Sequence, residues 1–169
     1  MAVAPHTGYS GQALSPAGDK GRFVLPPDFR SAVRESSDGR VLCLDKHPKF
    51  KCLTGFGLSR HAELEDQLDR MEAAAWNRGE DFDRDTRASQ FFGYKKLSFD
   101  DSGRFQMPDH LARQAGLGEM LYFHGGGRFF TIWDPQELFR MGEEWANAKA
   151  ACQSLLEEVE AKLGKGKKK

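Results

Sequence analysis

At 169 residues, with 39% hydrophobic and 30% charged side chains, the chain suits one substantial domain or two small ones and is too apolar to be disordered. No run of roughly eighteen apolar residues occurs, which excludes a membrane-spanning helix, and residues 1–12 lack the basic start and apolar stretch of a secretory signal. Formal net charge is zero, but residues 1–58 hold eight Lys/Arg against five Asp/Glu and residues 59–92 hold five against nine, so a basic surface is expected on one side only.

An internal repeat organises the chain. Gly21-Arg22-Phe23-Val24-Leu25-Pro26 returns as Gly103-Arg104-Phe105-Gln106-Met107-Pro108, 82 residues later. The same offset aligns Tyr9-Ser10-Gly11 with Phe91-Phe92-Gly93 and Phe29 with Leu111. Short motifs coincide by chance, but motifs that keep register rarely do, so the chain reads as a duplication. Residues 1–8 are expected to be a flexible N-terminus, 9–58 the first repeat, 59–90 a connecting helical segment and 91–133 the second repeat. A C-terminal helix over 134–163 and a disordered basic tail over 164–169 complete the division.

Each repeat opens on a polar loop, Gly18-Asp19-Lys20 or Asp100-Asp101-Ser102, followed by a strand whose Phe-x-Leu/Met alternation is the signal. A helical turn follows, at Pro27–Val33 and at Asp109–Ala115, the second closed by Gly116. Strand pairs are predicted at 41–45 with 50–54 and at 120–124 with 128–133, the latter joined by Gly125-Gly126-Gly127 as a hairpin turn. A helix from about Ser59 buries Leu64, Leu68 and Met71. Asp134, Pro135 and Glu137 predict a helix start with an acidic capping box, with Trp133 and Leu138 at the staple positions. Leu138, Met141, Trp145, Ala148, Cys152, Leu155 and Val159 then form one seam, open to two readings: packing on the chain's own domain or contact with a neighbouring subunit.

No catalytic constellation stands out: Gly-x-Ser-x-Gly, a Gly-Lys-Ser/Thr phosphate loop and His-Glu-x-x-His are all missing, and none of the five histidines shows a telling carboxylate spacing. A non-enzyme without cofactor, metal or small-molecule substrate is expected. Cys43, His47, Cys52 and His61 match no zinc-ligand spacing, so the cysteines read as buried thiols in strands. Arg22 and Arg104 sit where each loop enters its strand. Two readings stand side by side: a guanidinium tied to a nearby carboxylate such as Asp100, or a pair offered to phosphates or guanine edges of DNA.

Tyr9-x-Gly11, Asp19-Lys20-Gly21-Arg22-Phe23-x-Leu25-Pro26, Asp100-x-x-Gly103-Arg104-Phe105-x-Met107-Pro108, Gln114-Ala115-Gly116-Leu117 and Ile132-Trp133-Asp134 resemble the MraZ family, over roughly residues 9 to 145. The resemblance implies an α+β, β-rich, internally duplicated fold of the AbrB/MazE type, a double-split β-barrel with a longer helix after each repeat. It further implies a sequence-specific transcriptional regulator in the cytoplasm, on nucleoid DNA at the division and cell-wall gene cluster, as a ring-shaped homo-oligomer with double-stranded DNA as partner.

The family's Asp-x-x-x-Arg loop maps onto Asp100 and Arg104, which implies Lys20, Arg22 and Arg104 as DNA-binding residues and Gly21, Asp100 and Gly103 as loop-structuring ones. In the first copy Gly18 stands where the aspartate is expected, with Asp19 one position later. Pro16 falls in the expected first strand, so that strand should be short, at an edge or displaced. The competing class is an interaction module that binds no DNA, antitoxin-like or structural.

Overall fold

The computed structural model describes residues 8–167. The expected flexible N-terminus lies outside the described residues up to position 7, as do the last two lysines of the expected basic tail.

The first half contains β1 (Gln12–Pro16), β2 (Arg22–Val24), α1 (Pro27–Ser37), β3 (Val41–Lys46) and β4 (Leu53–Phe56). Two helices follow, α2 (Arg60–Asn77) and α3 (Arg84–Phe92). The second half repeats the order as β5 (Lys95–Ser98), β6 (Arg104–Gln106), α4 (Asp109–Ala115), β7 (Met120–Gly125) and β8 (Phe130–Trp133), and ends in α5 (Pro135–Phe139) and α6 (Ala146–Lys167). The fold is mixed α and β, and every strand pairing is antiparallel.

The halves interleave instead of folding side by side. The six-stranded sheet runs β1-β7-β8-β4-β3-β5, so each half's first strand lies on the other half's hairpin. Exchanging the halves leaves this order unchanged, with β4 and β8 at the centre. β2 and β6 form a separate two-stranded ribbon. As Pro16 suggested, β1 is an edge strand, and the proline is its last residue, opposite Met120. The other edge strand, β5, opens with the exposed pair Lys95-Lys96.

The two short helices follow one local plan. Pro26 and Pro108 precede them, Asp28 and Asp109 sit in their first turns, and Phe29/Val33 and Leu111/Ala115 are buried four residues apart. α4 stops at Gly116 in the left-handed region (φ 64°), as its glycine predicts, whereas α1 stops at Asp38 (φ 50°). The main core joins Phe29, Leu42, Leu111, Phe123, Phe130 and Ile132 from both halves. A second cluster of Cys52, Tyr122, Trp133, Leu138, Ala148 and Cys152 lies under α6.

Three expectations about the C-terminal region are corrected. The seam from Leu138 to Val159 is not one helix. The chain leaves α5 after Phe139, bends at the extended Gly142 (ψ −175°), makes a short 3-10 turn over Glu143–Trp145 and only then enters α6. Packing selects this path: Leu138, Ala148 and Cys152 are buried against the chain's own sheet, beside Trp133 and Trp145, which meet edge to face. The helix also continues past 163 to Lys167, although Gly164 and Gly166 each cost about 1 kcal/mol within it.

Asp134 does cap α5, accepting from the N–H of Gln136, and Trp133 and Leu138 share a cluster as a staple requires. Glu137, however, completes no capping box; its carboxylate pairs with Arg140 and Lys51. Among the histidines, His61 does meet a carboxylate, Glu65 one turn along α2, while its Nδ1 bonds the Tyr94 hydroxyl and ties that helix to the sheet. All three cysteines are buried free thiols, and burial pushes Cys52 up to about 12 and Cys43 and Cys152 up to about 11.

At the centre of the sheet Gly55 pairs with Phe130, and a Cβ on Gly55 would fall 2.4 Å from the ring. That ring is fully buried between Tyr9, Phe29 and Phe123 and cannot move aside. Gly55→Ala is therefore expected to lower unfolding free energy by about 1–3 kcal/mol in a urea titration.

Candidate nucleic-acid interface

Alternation along β2 and β6 sorts their side chains. Phe23 and Phe105 point into the core and face one another across the ribbon, while Arg22, Val24, Arg104 and Gln106 are exposed on its outer face. Register sets Arg22 opposite Gln106 and Val24 opposite Arg104. The two arginines are thus diagonal neighbours on one surface, about 7–8 Å apart at the backbone by the usual strand spacing. With Lys20, Pro16, Gly18 and Val24 they line a shallow groove of about 360 Å³. The structure so brings together Lys20, Arg22 and Arg104, which lie far apart in the chain.

The ribbon is closed at each end by a reciprocal bond. The N–H of Leu25 donates to Gly103 O (2.8 Å), and the N–H of Met107 donates to Gly21 O (3.5 Å). Both glycines adopt positive φ, 73° at Gly21 and 85° at Gly103, where a side chain is strained. Gly103 has a second reason: a Cβ there would lie 2.4 Å from Arg30 Nε, which itself donates to Leu25 O. The repeated Gly-Arg pair thus marks a tight loop that touches its partner repeat.

Beyond this shared frame the loops differ. In the second, the Asp100 carboxylate accepts from the backbone N–H groups of Ser102 (3.0 Å) and Arg104 (2.8 Å), and its other oxygen from Arg104 Nε (2.8 Å). The backbone N–H of Arg104 and then its guanidinium hold the Asp100 carboxyl below the usual carboxylate range. The ion-pair reading therefore holds for Arg104. Both partners are about half exposed, so the pair adds little stability and chiefly orients the guanidinium, whose Nη groups have no partner among the described residues. Asp101 pairs with Arg40 from the first half, so both acids of this loop are matched by cations.

The first loop has no such carboxylate. Gly18 repeats the backbone role of Asp100, its N–H donating to Arg22 O as that of Asp100 donates to Arg104 O. Asp19–Gly21 then make a 3-10 turn in which Lys20 takes a left-handed conformation (φ 60°, ψ 33°). Neither Lys20 nor Arg22 makes an ion pair with any described residue. Asp19 accordingly does not replace the aspartate missing at position 18. Instead Gln106 reaches across the ribbon, its Nε2 donating to Lys20 O (3.0 Å) and more weakly to Gly21 O (3.4 Å). Sequence reasoning passed over Gln106, although its signal was present: a polar residue at an outward position where the first repeat has Val24. Arg30 and Arg40 were likewise missed, since nothing local in the sequence marks their contacts with the opposite loop.

The bond pattern around Asp100 yields a measurable expectation. Replacing Arg104 by Ala removes the guanidinium but keeps the backbone N–H donors at 102 and 104, so the Asp100 titration followed by NMR should rise only partway and stay below 3.8. A complete return to the ordinary range would show that the backbone donors do not hold the carboxylate.

No family model matches the chain. Among curated proteins it is 28% identical to a Parvibaculum lavamentivorans protein named transcriptional regulator MraZ, over 92% of this chain and 93% of that one. Proteins of the same name from Methylococcus capsulatus and Roseiflexus are 31% and 32% identical, covering 75% and 70% of this chain and 79% and 75% of theirs. Identity at this level, sustained across both repeats and the helices between them, shows that the chain belongs to the MraZ family.

Proposed function

We propose that the protein is a sequence-specific DNA-binding transcriptional regulator acting at the promoter of the division and cell-wall gene cluster. On this reading the interleaved halves are a duplicated AbrB/MazE-type double-split barrel, and Lys20, Arg22 and Arg104 meet DNA from the ribbon face. The observation that carries it is the ribbon itself, which sets two arginines from symmetry-related loops on one exposed surface. A two-stranded ribbon is one of the elements the major groove admits, and guanidinium groups pair with phosphates and with guanine O6 and N7.

The overall charge supports association in multiples. A neutral protomer offers only a small cationic patch, so a single one binds DNA weakly. A ring of protomers meeting successive sites raises affinity without enlarging any single patch. The setting is the cytoplasm, on nucleoid DNA.

Binding to duplex DNA from upstream of the protein's own gene cluster tests the reading. Arg22→Ala and Arg104→Ala should each cost about 1–3 kcal/mol, a loss of roughly 5- to 150-fold, and the double variant should retain only nonspecific binding. Lys20→Ala should weaken all duplexes alike and reduce the slope of log affinity against log salt by about 1. Unaltered affinity in the double variant, or no binding by the native chain, would favour the interaction module, for which the exposed Trp76 of α2 (77% accessible) offers a contact point.

A further inference from the structure

The first loop lacks its own brace and borrows one from the second repeat. Gly18 and Asp100 stand at equivalent places, yet only Asp100 carries a carboxylate to gather the loop's N–H groups. Lys20 and Gly21 are successive left-handed residues (φ 60° and 73°), so the turn directs their two carbonyls towards one donor. That donor is the Gln106 carboxamide. The positive φ of Gly21 favours glycine there, and a Cβ at that position would lie 3.0 Å from Gln106 Nε2, so the amide sits close against the turn. The reverse brace does not exist: Val24, the counterpart of Gln106, has no group to offer Arg104 or its loop.

Resting on the DNA-binding reading above, the geometry points to Gln106 as the positioning residue of the first DNA-contacting loop, in place of the aspartate that Gly18 omits. The two braces act on different parts of their loops. Asp100 holds backbone and guanidinium together and gives Arg104 a set direction. Gln106 holds only the Lys20 and Gly21 carbonyls, which fixes where Arg22 leaves the backbone while its guanidinium stays free of any described partner. Arg104 is the oriented member of the pair and Arg22 the adaptable one. One repeat thus organises both loops.

Gln106→Val, which copies Val24, tests this on the full-length protein. Amide hydrogen exchange without DNA should quicken about five- to tenfold across residues 18–22, as expected for loss of one hydrogen bond, and stay unchanged across 100–104. Affinity for the upstream duplex should fall by a similar factor. Gly18 has extended backbone (φ −96°), and a Cβ there meets its nearest atom at 3.4 Å, so Gly18→Asp can be accommodated. Added to Gln106→Val, it should restore both slow exchange and affinity, which a residue that merely filled space would not permit. Gln106→Leu repeats the test if the valine variant does not fold.

Unchanged exchange over 18–22 would overturn the inference. So would faster exchange with full DNA affinity, or a loss that Gly18→Asp does not repair. If the native chain binds no DNA, the functional reading fails and with it the positioning role, while the exchange measurement still decides whether the brace exists.

Discussion

Reciprocal exchange between the halves is the constraint on which the rest of the structure depends. Each repeat leaves its first strand without a partner of its own, and that strand completes the sheet only on the other half's hairpin. The ribbon follows from the same exchange, because β2 and β6 pair as strands with each other and are closed at their ends by the opposite glycines. A buried backbone group without a partner costs as much as a lost hydrogen bond, so neither half satisfies itself alone. Stability, symmetry and the placement of the arginines therefore have a single origin.

On this frame the two loops use similar backbones for different electrostatic ends. Asp100 compensates the cation it orients, and Arg40 compensates Asp101, so the second loop offers a directed guanidinium with little net field. In the first loop Lys20 and Arg22 share the groove with Asp19 but form no ion pair with any described carboxylate. Exposed ion pairs contribute little to folding, so this inequality concerns what the surface presents and not whether the chain folds.

Much of this is legible in the sequence. Register between Gly21–Pro26 and Gly103–Pro108 announced the repeat, and local chemistry marked the glycine stop at Gly116 and the cap at Asp134, while Pro16 left its strand short, at an edge or displaced, of which the edge is found. The family also came from sequence, and so did the choice of Lys20, Arg22 and Arg104, which the fold brings into one groove. What escaped depends on pairings distant along the chain. Periodicity cannot tell a continuous helix from α5 and α6 broken by packing on Trp133, because both keep Leu138, Ala148 and Cys152 on one side. Nor does sequence show that Gln106 stands opposite Arg22, since a strand reveals its alternation but not its partner.

The two ends of the large sheet carry a further consequence. An exposed strand edge is a row of unpaired donors and acceptors, open to any extended peptide that meets it. Here one edge finishes at Pro16, which has no N–H to offer, and the other opens with two exposed lysines whose charge must be brought close to any incoming strand. Interleaving uses strand pairing to join the halves within one molecule. The terminal residues then disfavour the same chemistry between molecules, at the two edges where the six-stranded sheet stops.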